Sequence, residues 1–277
     1  MAVAGCGASA PNGGQRIGVL IVAYNAATTI SDVLRRIPAA VWANVEEVAV
    51  FDDASTDDTA ATARAFEAGQ SGQAGESAGR LRVVTNPRNL GYGGNQKRGY
   101  RYFMDHGFDT VVLLHGDGQY APELLADLYS PIVAGEADAV LGTRMTTAFG
   151  GPLNGGMPRY KYVGNRILTV FANACLGMRL TEFHCGYRAY SLDALRRVTL
   201  DTLTDDFHFD TQIIVKLHHQ RFRIRERPIP TYYGDEICHV NGLKYAWNVT
   251  RSLLDYRRTL WAAHRAPEYA EYHPAHR

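Results

Sequence analysis

The sequence predicts an α/β fold: a mostly parallel central sheet flanked by helices. Three observations predict it. Up to residue 145, short apolar runs alternate with stretches of helical periodicity. The runs are apolar throughout, as strands buried on both faces must be. Four of them end in polar residues, at Asn25, Asp52-Asp53, His115 to Gln119 and Thr143-Arg144, and a parallel sheet binds its ligands at the carboxyl edge.

Taken in order, residues 17–24 form the first strand, and a helix over 30–37 follows, closed by Pro38. Residues 45–51 form the second strand, and Asp52 to Thr59 lead into a helix through Phe66. The Gly-, Ser-, Ala- and Gln-rich stretch 68–79 reads as a surface loop. A strand over 81–85 enters Asn89-Leu90-Gly91-Tyr92-Gly93-Gly94-Asn95, and a helix then reaches about His106. The strand over 111–114 precedes the His115 cluster, with a helix over 122–134 and a strand over 137–141 behind it. Beyond 145 the alternation stops. The Gly- and Pro-rich segment 146–160 is expected to be a mobile loop that closes over a ligand. Residues 162–176 read as a helix, 182–190 as a strand, and 205–219 as a loop entering a helix. Residues 243–264 have amphipathic spacing, expected of a packing or homodimer helix, with a membrane-surface helix as the alternative. One domain over 16–240 thus carries a C-terminal helix over 241–265, with a disordered tail over 1–15 and a flexible one over 266–277.

Composition narrows the function. With 277 residues, 46% hydrophobic and 21% charged, the chain is globular with a sizeable core. A net charge of +1 lacks the basic excess that nucleic acid binding requires. Cys6, Cys175, Cys185 and Cys238 form no CxxC pair, so neither a zinc site nor a disulfide framework is signalled, and a reducing cytoplasm is the default. No run of about 18 apolar residues occurs, so any membrane contact is expected to be peripheral.

The polar clusters each carry two readings. Asp52-Asp53 can cap the following helix or accept hydrogen bonds from a nucleobase or ribose. The glycines between Asn89 and Asn95 lack the G-x-G-x-x-G spacing, yet suit a tight turn whose backbone approaches a nucleotide. His115, Asp117 and Gln119 alternate, so extended backbone puts them on one face. Asp117 and Gln119 offer oxygen ligands to Mg2+ or Mn2+, and His115 suits Mn2+ better. The alternative is an ordinary polar Asp-Gly turn. Arg144 and Arg188 are candidate phosphate forks or surface ion pairs, and Asp210 beside aromatics is a helix cap or a general base.

Taken as an ordered series, these motifs resemble family 2 glycosyltransferases of the GT-A fold. The segments are Ile21-Val22-Ala23-Tyr24-Asn25, Phe51 to Thr59, Asn89 to Asn95, His115-Gly116-Asp117-Gly118-Gln119, Gly142-Thr143-Arg144, Gly186 to Tyr190, and Phe209-Asp210-Thr211-Gln212. Within that family the likeness is to the dolichol-phosphate or polyprenyl-phosphate mannosyltransferase type, over roughly 16–240. The resemblance implies a Rossmann-like nucleotide-binding half and inverting transfer from a UDP- or GDP-linked sugar. By position, Asp53 would hold the base, with Ala23, Tyr24, Asn25, Gly91, Gly94, Asn95 and Gly116 around the donor. The family's D-x-D falls on His115-Gly116-Asp117, and Gln119 matches a further metal ligand of the polyprenyl branch. Arg144 and Arg188 match residues that handle phosphates. Asp210 stands where hydroxyl-directed members carry their base, which points to an acceptor hydroxyl on a small molecule or glycan. Tyr232-Tyr233-Gly234-Asp235-Glu236 resembles a segment of the polyprenyl branch, whose acceptor is a polyprenyl phosphate. A nucleotide-binding protein without catalysis, a nucleotidyltransferase and a retaining transferase are the rival readings.

Overall fold

The computed structural model describes residues 14–70, 79–233 and 241–265. The tails and the Gly234-Asp235-Glu236 part of the motif above lie outside the described residues. Seven strands make one sheet: β1 (Ile17–Ala23), β2 (Glu47–Asp52), β3 (Leu81–Thr85), β4 (Thr110–His115), β5 (Ala139–Thr143), β6 (Arg188–Ser191) and β7 (Ile224–Pro228). Their order is β3-β2-β1-β4-β6-β5-β7. All pairings are parallel except those of β6, which runs antiparallel to β4 and β5.

Side chains alternate along each strand, so the apolar runs feed a core on each face. On one face Val19, Ile21, Val48, Val50, Val112 and Leu114 pack against α1 (Ile30–Arg35), α2 (Ala39–Asn44) and α5 (Leu125–Val133). On the other, Leu20, Ala49, Phe51, Val111 and Leu113 meet Tyr100 and Phe103 of α4 (Tyr92–Asp105), along with α7 (Leu192–Arg196) and α8 (Phe209–His219). α3 (Thr59–Gln70) joins the first face through Ala63. A third cluster joins α6 (Arg159–Leu176), α8 and α9 (Gly242–Arg265) over Leu141 and Phe183.

Three elements differ from expectation. Pro38 does close α1, but its carbonyl also accepts the Val41 and Trp42 amides (2.9 and 3.0 Å) and so opens α2. The strand expected over 182–190 shortens to Arg188–Ser191, because the backbone before it turns to offer carbonyls to the Arg188 side chain. β7 has no apolar run: Ile-Arg-Glu-Arg-Pro is an edge strand, mostly polar and ending in Pro. The segment 145–158 ahead of α6 is a loop, pinned where the Tyr233 amide donates to the Gly155 carbonyl at 3.1 Å.

Candidate active site

Because β6 is reversed, its amino end arrives at the edge where β1, β2, β4 and β5 finish. The residues after Ala23, Asp52, His115 and Thr143, and those before Arg188, therefore share one rim.

The β1 and β2 ends are stitched to each other. The Asn25 amide donates to Ser55 Oγ (2.9 Å), and Asn25 Oδ1 accepts from the Thr56 amide (2.9 Å). The Ala26 amide donates to Thr59 Oγ1 (2.7 Å) and the Ala27 amide to Asp57 Oδ2 (3.1 Å). Asn25 (φ 52°) and Ala54 (φ 56°) both sit in the left-handed region. That conformation costs an alanine on the order of 1 kcal/mol and collects at functional rims. Tyr24 is 43% exposed beside them. Asp52 binds Ser55 and completes the turn. Asp53 Oδ1 accepts from Asn86 Nδ2 (2.6 Å) and the Leu90 amide (2.8 Å), and Oδ2 from the Gly91 amide (3.0 Å). Asp53 thus fastens the glycine-rich turn from beneath, with one carboxylate oxygen carrying a single donor.

That turn is close-packed for an internal reason. A Cβ on Gly91 would lie 2.9 Å from the Asp205 carbonyl, and one on Gly93 2.6 Å from that of Thr204. Gly94 likewise faces Leu90 and Asp205. What approaches these glycines on the Cβ side is the chain's own segment before α8. Asn95 is buried, with Nδ2 donating to the Phe51 carbonyl (2.9 Å) and Oδ1 accepting from Asn86 (3.0 Å).

The turn places Tyr92 against the end of β4. The Tyr92 hydroxyl is 2.8 Å from Asp210 Oδ2 and 3.2 Å from His115 Nε2. Burial, with Asp210 adjacent, pushes the phenol well above its ordinary range, so it keeps its proton. A hydroxyl has one proton to give. Given to the Asp210 carboxylate, it leaves the oxygen to accept from His115, which assigns the imidazole proton to Nε2 and a lone pair to Nδ1. Burial also holds His115 below its usual range, against the pull of Asp117 and Asp210. A neutral imidazole with Nδ1 unprotonated is the ligating form. Nδ1 lies 4.0 Å from Asp117 Oδ2, and the Asp117 side chain is 47% exposed. Gly186 is required behind the ring, since a Cβ there would stand 2.6 Å from His115 Nε2. Gly116 is buried against β1, its carbonyl taken by Thr29 Oγ1 (2.7 Å). Gln119 lies on the same turn, its amide donating to Asp117 Oδ1 (3.0 Å).

Among the described residues no three His, Cys, Asp or Glu side chains converge as a closed metal cage. The donors present fit an open site: one carboxylate and one neutral imidazole on a single turn, with Gln119 beside them, leaving coordination positions for diphosphate oxygens.

Both arginines are placed differently from expectation. Arg188 is fully buried. Its Nε donates to the Cys185 carbonyl (2.6 Å), Nη1 to the Asp210 carbonyl (2.7 Å) and Nη2 to the Phe183 carbonyl (2.9 Å). Nη2 also lies 3.8 Å from Asp210 Oδ2. The fork is spent on the chain itself, so it braces Asp210 and is closed to a phosphate. Arg144 is paired with Glu182, whose side chain is fully buried: the Arg144 amide donates to Oε2 (2.7 Å) and Nε to Oε1 (3.1 Å), and Nη2 also contacts Oε1. Burial opposes charge on both, yet the partner's charge prevails, holding Glu182 below the usual carboxylate range and raising Arg144. Asp210 lies in the first turn of α8, 5% exposed, with Gln96 Nε2 a long 3.4 Å from Oδ1.

Glu182 and Tyr92 are the residues that sequence reasoning missed. Glu182 had a signal: it is the one acid between Asp138 and Asp193, a stretch with six Lys and Arg residues. Tyr92 had only its position inside a glycine-rich turn.

Comparison with known proteins decides the family. The profile described as glycosyl transferase family 2 matches residues 18–199, well over half of the chain. The chain belongs to that family. As a family 2 glycosyltransferase it is similar to an undecaprenyl-phosphate mannosyltransferase of Micrococcus luteus, 29% identical over 78% of this chain and 83% of that one. It is also similar to a polyprenol monophosphomannose synthase of Mycolicibacterium smegmatis, 26% identical over 78% and 77% of the two chains. Glucosyl-3-phosphoglycerate synthase from Mycobacterium tuberculosis shares the fold: TM-score 0.66 at 21% identity, over 88% of this chain and 81% of that one. The same synthase has been solved with Mn2+, uridine diphosphate and phosphoglyceric acid, with a TM-score of 0.64, 20% identity, and 88% and 79% coverage. The α/β sheet is therefore the GT-A fold, and the chain is a glycosyltransferase.

Proposed function

We propose that the chain transfers a sugar, with inversion, from a UDP- or GDP-linked donor to an acceptor hydroxyl of a small molecule or glycan. Asp210 carries this reading. α8 sets its carboxylate at the rim, Arg188 braces it from behind, and Oδ1 has no close donor. The acceptor hydroxyl passes its proton to Oδ1 as its oxygen bonds the anomeric carbon. The bond from that carbon to the diphosphate oxygen breaks on the opposite side, and its electron pair leaves with the nucleoside diphosphate. Asn25, Tyr24, the end of β1 at Ala23, and Asp53 beneath would receive the nucleoside. A divalent cation held by Asp117 and His115 Nδ1, with Gln119 beside them, would neutralise charge gathering on the departing diphosphate.

A second reading is favoured by the named activities of the relatives in Micrococcus and Mycolicibacterium: the acceptor is a polyprenyl phosphate, already an anion that needs no base. Asp210→Asn separates the two. With a hydroxyl acceptor, turnover should fall on the order of a hundredfold to ten-thousandfold, while donor binding by calorimetry stays within a few fold. Unchanged turnover onto polyprenyl phosphate would move the assignment to the second reading. No nucleotide release from any UDP- or GDP-sugar, with Mn2+ or Mg2+ and either acceptor, would overturn both.

A further inference from the structure

α6 exposes an unusual face. Tyr160, Val163, Ile167 and Val170 are 74, 52, 63 and 62% exposed. At 3.6 residues per turn their spacing gathers them within about 80° of arc, a single stripe along a helix roughly 27 Å long. Arg159 and Arg166 are exposed along one flank of the stripe, and neither joins an ion pair among the described residues. Lys161 lies well away from the stripe, 4.8 Å over the Tyr233 ring. The loop feeding α6 adds Phe149 and Leu153, 47 and 48% exposed. α9, packed on α6, carries its own outward row: Leu243, Trp247 and Leu254 at 87, 68 and 41%. No Asp or Glu occurs from residue 139 to 181, against five Lys and Arg.

We infer that the α6 face is a docking surface for an anionic lipid bilayer, which α6 meets lying flat in the headgroup layer. Scattered exposed apolar residues need no explanation, but a contiguous stripe of four large ones does. Apolar side chains in line with a basic flank and no acid are the pattern of an interfacial helix, in which each basic residue near a negative leaflet adds about 1 kcal/mol. Charge argues against a second copy of the chain as the occupant. A two-fold interface sets the same patch against itself, so the Arg159 and Arg166 rows would face each other with no acid of this segment between them. Asn165 ties the same helix to the rim, its Nδ2 donating to Glu182 Oε1 at 2.8 Å. The docking stripe and the tie to the rim are thus on opposite faces of α6. The inference stands on this face and holds for either acceptor.

The test is co-sedimentation of the full chain with vesicles of equal parts phosphatidylcholine and phosphatidylglycerol, beside vesicles of phosphatidylcholine alone. The chain should partition to the mixed vesicles and release as salt shortens the Debye length from about 10 Å at 0.1 M to about 3 Å at 1 M. The double variant Val163→Asp, Ile167→Asp, both exposed and outside the site, should melt like the parent and bind the mixed vesicles at least about tenfold less. Arg159→Gln should weaken binding about fivefold. The inference is overturned if the parent ignores the anionic vesicles, or if the double variant binds as the parent does. It is equally overturned if sedimentation equilibrium shows a dimer that the double variant dissolves while vesicle binding is absent. Loss of turnover onto every acceptor, with vesicle binding intact, would count against the proposed function alone.

Discussion

Asp117 and Arg144 each follow a strand that ends on the same edge of the sheet, but the Asp117 side chain is 47% exposed and that of Arg144 only 7%. The contrast extends to their neighbours. On the β1, β2 and β4 side, two non-glycine residues stand in left-handed backbone, Tyr24 is open, and His115 turns an unprotonated nitrogen toward Asp117. On the β5 and β6 side, Arg144–Glu182 and Arg188–Asp210 are buried pairs, and of their carboxylate oxygens Asp210 Oδ1 meets only Gln96 Nε2, at a long 3.4 Å. Polar residues at a strand end therefore have two uses. Left open, they are free to meet a ligand, as proposed for Asp117; once paired, they form a frame around it.

The frame is where the largest effect on stability is expected. Glu182→Gln leaves Arg144 charged and buried without its counter-ion, a loss of about 3–5 kcal/mol, which chemical denaturation will read as a lower midpoint at an unchanged slope. A paired replacement, Arg144→Met with Glu182→Leu, should recover most of that loss. If Glu182→Gln melts like the parent, the frame side is not a frame. On the open side, Asp117→Ala should cost activity on the order of a hundredfold or more and leave the melting temperature nearly unmoved, since the side chain is exposed. A large fall in stability would place Asp117 with the frame.

Tyr92 stands between the two sides, with one bond to each. Tyr92→Phe removes the group that fixes the His115 proton on Nε2. Mn2+ affinity, followed by electron paramagnetic resonance with a nucleoside diphosphate present, should drop about tenfold or more, as when a partner orienting a metal-bound histidine is lost. Unchanged Mn2+ affinity would leave His115 outside the metal site. The smallest effect belongs to Ala54→Gly. It relieves a left-handed alanine, less the extra backbone entropy of glycine, for a net gain of about 1 kcal/mol at most. A loss instead of a gain would mean that the rim stores no strain there.

The open side was the more legible of the two in the sequence. Apolar runs declared β1 to β5, and the polar residues after them announced an edge. Alternation put His115, Asp117 and Gln119 together, and the structure places them on one turn. The frame could not be read that way, because its pairs are made by tertiary contact. Glu182 lies 38 residues beyond Arg144, and Tyr92 lies 118 residues from Asp210. Local spacing carries no record of either, so the two arginines read as phosphate forks or ion pairs, with no partner that the sequence could name. β7 escaped for a different reason: an edge strand facing water needs no apolar run, and Ile224–Pro228 has none. α2 was hidden because Pro38 was read as an end when it is also a beginning.

The reversed strand β6 has a consequence for the order in which the chain assembles. β1 to β4 pair among themselves, so residues 17–115 can complete a four-stranded sheet as soon as they have left the ribosome. β5 is made next but cannot join, because its partners are β6 and β7. Until residue 188 emerges, β4 keeps an open edge and Arg144 lacks the pocket that buries it. The half with the open strand ends is thus synthesised first, and the half with the buried pairs arrives last, with residue 228 completing the final strand.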